Sequence, residues 1–429
     1  MSISLGGSYR RRVLDDEFDE LLPALSALAV EGAKGVGKTA TALRRAATVH
    51  ALDDPGQREI AAGDPARLLT GTSPVLIDEW QRVPESWDLV RRAVDAGAVP
   101  GSFLLTGSAS PAGLGTHSGA ARIPTVRMRP LSLSERIDER PSVSLAGLLG
   151  GMRPAVGGAT GIGLEDYVEE ILASGFPGLR GLSGRALRIQ LDGYLLRIVD
   201  RDFPELGHAV RNPAGLRRWM AAYAAASSTA TSLEKIRDAA TSGQGDKPAK
   251  NAAAPYRDVL ERLWILDPVP AWQPTRSHLA RLTAAPKHQL VDPALAARLL
   301  GATSSALLAG RPLGPPIPRD GTLLGALFES LVTLSVRVYA QAVEASVGHL
   351  RTFAGEHEID LIVQRQDGRA VAIEVKLART VHDDDVRHLR WLAREIGDEL
   401  LDAIVISTGP EAYRRADGIA VVPAALLGP

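Results

Sequence analysis

Gly32-Ala33-Lys34-Gly35-Val36-Gly37-Lys38-Thr39-Ala40-Thr41 decides how the first third of this chain is read. An apolar run, Ala24 to Val30, leads into it, and an Ala-rich segment, Thr39 to Leu52, follows with helix-forming composition. Gly32 to Thr39 fits G-x-x-x-x-G-K-[ST] at every fixed position. The glycines let backbone N–H groups turn inward around phosphate oxygens, and the start of the next helix adds its positive dipole end. Residues 32 to 40 are therefore expected to cradle a nucleotide. Lys38 would reach the β- and γ-phosphates and the Thr39 hydroxyl would bind magnesium.

Val75-Leu76-Ile77-Asp78-Glu79 is a short apolar strand ending in two acids. Asp78 suits the magnesium shell and Glu79 the polarisation of the attacking water. Phe103-Leu104-Leu105-Thr106-Gly107-Ser108 is a third apolar strand, and both Thr106 and Ser108 are candidates to sense the γ-phosphate. Arg122 is a candidate arginine finger acting across a subunit interface, which would require a homo-oligomer. Uninterrupted apolar strands separated by helical segments indicate a parallel α/β sheet covered on both faces.

At 429 residues the chain is too long for one ordinary core. Its 45% hydrophobic and 23% charged content is that of a globular protein. Lys+Arg 49 against Asp+Glu 50 leaves no overall basic field, so any nucleic-acid surface must be local. The absence of cysteine excludes disulfides and thiolate-ligated metal sites. The first residues lack the apolar core of a signal peptide, and no apolar run is read as the roughly 20 residues of a membrane span. The expected compartment is the cytoplasm, without membrane association.

Four parts are expected: a nucleotide-binding domain over 1–140, a helical region over 160–305, a Pro/Gly linker over 306–321, and a terminal domain over 322–429. Gly310 to Gly321 carries four prolines and three glycines in twelve residues. In the helical region, Leu233–Ala240 and Tyr256–Leu266 read as two helices and a strand start, an order that suits a winged helix-turn-helix. Lys247, Lys250 and Arg257 would then meet DNA phosphates, unless the region is a helical spacer that touches only protein.

The terminal domain reads as a helix from Leu323 to Ala340 followed by strands to the end. It carries Glu329 in the helix, Asp360 in one strand, and Glu374 and Lys376 in the next. Carboxylates at this spacing can bind Mg²⁺ or Mn²⁺, and a lysine beside them can activate water, the inventory of PD-(D/E)xK nucleases. Asp360, Glu374 and Lys376 are the expected catalytic residues, with Glu329 as a further metal ligand. His357 and Arg351 would either contact the scissile phosphate or lie on the surface. Register supplies a test. A two-residue turn at Asp367-Gly368 puts Asp360 opposite Val375, whereas a three-residue loop Gln366-Asp367-Gly368 puts it opposite Glu374.

The series GAKGVGKT, LIDEWQRVP, FLLTGSAS, RPLSLSER (129–136), SGFPGLR (174–180), YLLRIVDRD (194–202) and EIDLIV…IEVK resembles the AAA-type ATPases of bacteria and archaea that carry the domain of unknown function 4143. The resemblance spans nearly the whole chain. It implies a P-loop ATPase, a winged-helix region and a restriction-endonuclease-like terminal domain. The chain departs from the pattern at SGAAR (118–122), where the family is longer. Two functions follow as expectations. ATP turnover could drive DNA binding or cleavage by the terminal domain. Alternatively, the chain is a nucleotide switch whose terminal domain binds DNA or protein without cutting.

Overall fold

The computed structural model describes residues 9–108, 121–208, 210, 212–241, 250–274, 285–309, 323–352 and 355–429, with side chains from 255 onward in the helix that begins at Lys250. Lys247, the side chain of Lys250 and residues 310–321 of the expected linker lie outside them. The first linker positions belong to a helix, Ser304–Leu308.

Five parallel strands form the first sheet: β1 (Ala27–Glu31), β2 (Thr48–Ala51), β3 (Val75–Asp78), β4 (Phe103–Gly107) and β5 (Thr125–Arg127), in the order β2-β3-β4-β1-β5. The three central strands are those read from their apolar runs, and β3 and β4 are buried at every position. The helix expected from Thr39 to Leu52 spans only Lys38–Leu43. Its second half is β2, paired Thr48 to Val75. Ala-rich composition favours helix, but β-branched Thr48 and Val49 cover the hydrogen-bonding edge of β3, and that pairing outweighs a few tenths of a kcal/mol of propensity per residue.

The middle is helical: Leu164–Ala173, Gly184–Arg197, Pro213–Ala225, Leu233–Ala240, Lys250–Arg262 and Pro293–Leu299. After Arg262 the chain forms a narrow antiparallel ribbon through bridges Leu266–Leu290 and Val269–Lys287. It stands where the sequence places a wing, yet Val269 and Lys287 are fully buried. The ribbon continues into a bridge between Ala271 and His349, on the edge of the second sheet.

That second sheet follows the helix Leu323–Gln341. After the short strand β6 (Val143–Ser144), its members are β7 (Ser346–Arg351), β8 (Glu358–Gln364), β9 (Ala370–Val375), β10 (Leu400–Ser407), β11 (Tyr413–Arg414) and β12 (Ala420–Pro423), in the order β11-β12-β10-β9-β8-β7. A helix the sequence reading missed, Arg387–Ile396, crosses between β9 and β10 and lets them run parallel. It buries Leu389 and Leu392, which share one face, with Trp391 and Ile396 partly buried beside them, while Arg387, Arg390, Arg394 and Glu395 supply charge. The last strand, β13 (Leu427–Gly428), pairs with β6, so the chain end returns to the segment after the first sheet.

Leu323–Gln341 is long and apolar enough, by composition, to cross a membrane, contrary to the expectation that no such run exists. It is a core helix here. Leu327, Phe328, Leu331 and Tyr339 are fully buried in a cluster that runs from Leu28 of β1 to Leu427.

Candidate nucleotide site and carboxylate cluster

Backbone shape builds the phosphate loop. Gly37 adopts φ +105° at the entry to the helix Lys38–Leu43, a conformation that costs a side-chain-bearing residue. At Gly32 a Cβ would stand 2.2 Å from the Met128 carbonyl oxygen, so only glycine lets β1 turn beneath β5. Ala33 and Val36 are buried and support the loop from behind, while Lys34, Gly35, Gly37, Lys38, Thr39 and Ala40 line a cavity of about 550 Å³.

Lys38 Nζ donates to the carbonyls of Gly32 and Ala33 at 2.8 and 2.9 Å. Burial pulls its ammonium down to about 8. Thr39 Oγ1 donates to Asp78 Oδ1 at 2.7 Å, and the Thr106 hydroxyl donates to the same oxygen. Burial pushes the Asp78 carboxyl up. Glu79 holds a left-handed backbone, φ 54°, which aims its side chain into the cavity rather than along the strand. Ser108 Oγ donates to Glu79 Oε1 at 2.8 Å, and Gln81 holds the other carboxylate oxygen. Of the two sensor candidates, Thr106 therefore holds Asp78 and Ser108 holds Glu79.

The opposite wall comes from the middle of the chain. Arg197, Arg201, Asp202 and Glu205 line the cavity, from a helix end that loosens into a π-turn at Ile198–Asp202. Lys34 bonds Asp202 and lies 3.2 Å from Glu205, and Tyr194 donates to the Lys34 carbonyl at 3.1 Å. These residues fall in the quoted YLLRIVDRD stretch and beside it, but spacing alone assigns them no role. Arg122 does not join them. It is exposed and donates to Asp95, at the end of the helix Glu85–Asp95, at 2.9 Å. It is not among the residues that line the cavity.

Residues 25–137 match the AAA domain. That match, with the phosphate loop set on a parallel sheet, supports a P-loop ATPase domain in this part of the chain. Residues 164–306 and 324–427 match two domains of unknown function, DUF8612 and DUF4143. The uncharacterized proteins Rv2008c of Mycobacterium tuberculosis and Mb2031c of Mycobacterium bovis are each 26% identical over 368 residues, covering 84% of this chain and 71% of their own. The Walker-type ATPase PABY2304 of Pyrococcus abyssi overlaps 66% of this chain and 94% of its own at 16% identity, with a TM-score of 0.39, a superposition too loose to define a shared fold.

At the phosphate loop the Thr39 hydroxyl lines the cavity, and the Asp78 carboxylate stands behind it in hydrogen-bond contact. That donor set fits magnesium, which takes one or two carboxylates and completes its shell with phosphates and water. Among the described residues no three His, Asp or Glu side chains converge as a self-sufficient metal site.

The terminal carboxylates are arranged differently. The loop 366–368 is the three-residue one, with Gly368 at φ 90° and Arg365 N donating to the Arg369 carbonyl. The β8–β9 register, Leu361 to Ile373, extends to place Asp360 opposite Glu374. Lys376 Nζ lies 2.7 Å from Glu374 Oε1. Glu374 Oε2 is buried with no hydrogen-bond partner among the described residues, and burial, with Asp360 nearby, pushes its carboxyl up to about 8. Glu329, from the core helix, meets Asp360 through a residue the sequence did not single out. Lys287, on the ribbon, lies 2.8 Å from Glu329 Oε1 and 3.0 Å from Asp360 Oδ1. An ammonium thus stands between two of the three expected metal ligands, and the three do not fit a metal ion in this arrangement.

His357 stacks on Trp391 at 4.0 Å, and Arg351 faces Glu358 at 4.0 Å. Arg257, expected to meet DNA, already pairs with Asp258 and Glu261. No local signal identifies Lys287. Its partners are 42 and 73 residues away.

Proposed function

We propose that this chain hydrolyses ATP with magnesium at the phosphate loop, and that the terminal domain engages DNA or protein without cutting it in the arrangement described. The hydrolysis reading rests on one observation: Thr39, which lines the cavity with Lys38 and Glu79, is in contact with Asp78 behind it. In this reading Lys38 leaves the Gly32 and Ala33 carbonyls for the β- and γ-phosphates. Thr39 and Asp78 would hold magnesium, which would neutralise charge developing on those phosphates. Glu79, released from Ser108 and Gln81, orients the water. Arg197 and Arg201 face the same space from the middle region, so nucleotide binding bears on how that region closes. Lys38→Ala should abolish measurable ATP turnover and nucleotide binding. Turnover persisting at the wild-type rate would remove the phosphate loop from the reaction.

The non-cutting reading of the terminal domain is favoured by Lys287. The helix, three strands, helix and strand of that domain support a nuclease-like fold, and the Asp360–Glu374 register supports the inventory, but fold does not carry activity. Plasmid incubated with Mg²⁺ or Mn²⁺, with and without ATP, should stay intact. Cutting that disappears in Lys376→Ala would overturn this reading.

A further inference from the structure

We infer that Lys287 is the resident cation of the terminal carboxylate cluster, so that the ribbon carrying it excludes a divalent metal ion from Glu329, Asp360 and Glu374. Its side chain is fully buried, and Glu358 completes the surroundings at 3.7 Å. A metal bridging Glu329 and Asp360 would need oxygens at roughly 2.0–2.6 Å from the point the ammonium occupies. Two cations do not share that point.

The backbone that carries Lys287 is held as well as its side chain. Its backbone N–H and carbonyl both pair with Val269 at 2.9 Å, and Val269 is fully buried. Two residues before Val269, Asp267 receives Arg127 and Arg129 from the end of the first sheet at 2.8 Å each, and Arg337 from the core helix at 2.9 Å. Burial opposes the Asp267 charge, but the three arginines hold its carboxyl well below the usual range. The ribbon is pinned at one end to the strand beside the phosphate-loop strand and plugged at the other into the carboxylates. Freeing the cluster means shifting the ribbon as a unit. An internal lysine thus performs the counter-charge role that a metal performs in a working two-carboxylate site.

The test is Mn²⁺ binding to the full chain without nucleotide, followed by water-proton relaxation. Wild type and Asp360→Asn should give the same titration, because the cluster takes no Mn²⁺ in either. Lys287→Met should gain one Mn²⁺ equivalent per chain, lost again in Lys287→Met/Asp360→Asn. A wild-type site that vanishes in Asp360→Asn overturns the inference, as does a folded Lys287→Met that gains nothing. If Lys287→Met does not fold, Lys287→Met/Glu329→Gln removes one charge of each sign and should show the same gain with weaker affinity. No gain there also overturns it. Circular dichroism and melting of each variant establish folding.

Discussion

The two ends of this chain hold nearly the same chemical inventory and neutralise it in opposite ways. At the phosphate loop, Lys38 rests on two backbone carbonyls while Asp78 and Glu79 are held only by hydroxyl and amide groups. Among the described residues neither acid is in an ion pair, and Glu79 faces the open cavity. At the terminal cluster, Lys287 sits on Glu329 and Asp360, and Lys376 on Glu374. Those acids are compensated from within the protein. Residue type and spacing do not separate a site waiting for a cation from one that already has it. The separation comes from where the lysines reach.

The comparison breaks first at Glu79. Glu79→Gln should lower ATP turnover by roughly 10²–10⁴-fold, the usual worth of a positioned general base, while nucleotide binding and melting temperature stay near wild type. A mild loss of turnover with a large loss of stability would make the phosphate-loop acids structural, like those of the terminal cluster.

His349 sharpens the other side. It is buried beside the ribbon, 3.1 Å from the Ala285 carbonyl. Burial first, and then the Lys287 charge, pull it from 6.5 down to about 4. The unfolded chain therefore takes up a proton before the folded one. Stability from this group is complete above pH 6.5 and is lost as pH falls from there towards 4, by a few kcal/mol at most. Denaturant midpoints at pH 7.5 and 5 should differ by less in His349→Gln than in wild type. An unchanged difference would show that this part of the molecule does not set the acid limit.

Lys376→Ala should cost about 1–2 kcal/mol in urea unfolding, below the range for a fully buried pair because the lysine is one-third exposed. ATP turnover should not change. Loss of turnover would couple the two sites more tightly than the comparison allows. The smallest effect belongs to Arg122→Ala, which should stay within about 0.5 kcal/mol and leave turnover intact, since the residue meets Asp95 at the surface. A large fall in turnover would restore it as a finger reaching a neighbouring subunit.

Much of the local structure was legible. The phosphate loop is a contiguous set of backbone requirements, and Gly32 and Gly37 state them directly. The apolar runs of β1, β3 and β4 are buried, as uninterrupted strands must be. The Asp360–Glu374 pairing followed from parity, because a two-residue period lets only an odd loop bring those side chains together. Where two local preferences competed, reading failed. Thr48–Ala51 sits in an Ala-rich stretch and became a strand because β3 needed an edge partner. Arg387–Ile396 is charged enough to pass for a surface connection, although two leucines give it a core face.

The sequence alone determined a nucleotide-binding loop, the strand tips that serve it and the register of the terminal acids, because each depends on residues close together in the chain or on strand parity. Tertiary structure alone decided which acids are free to take a cation. Lys34 meeting Asp202, Asp267 gathering three arginines and Lys287 entering the terminal cluster are contacts across long separations. Coulomb energy acts through a few ångströms of space and is indifferent to position along the chain, so no local pattern encodes it.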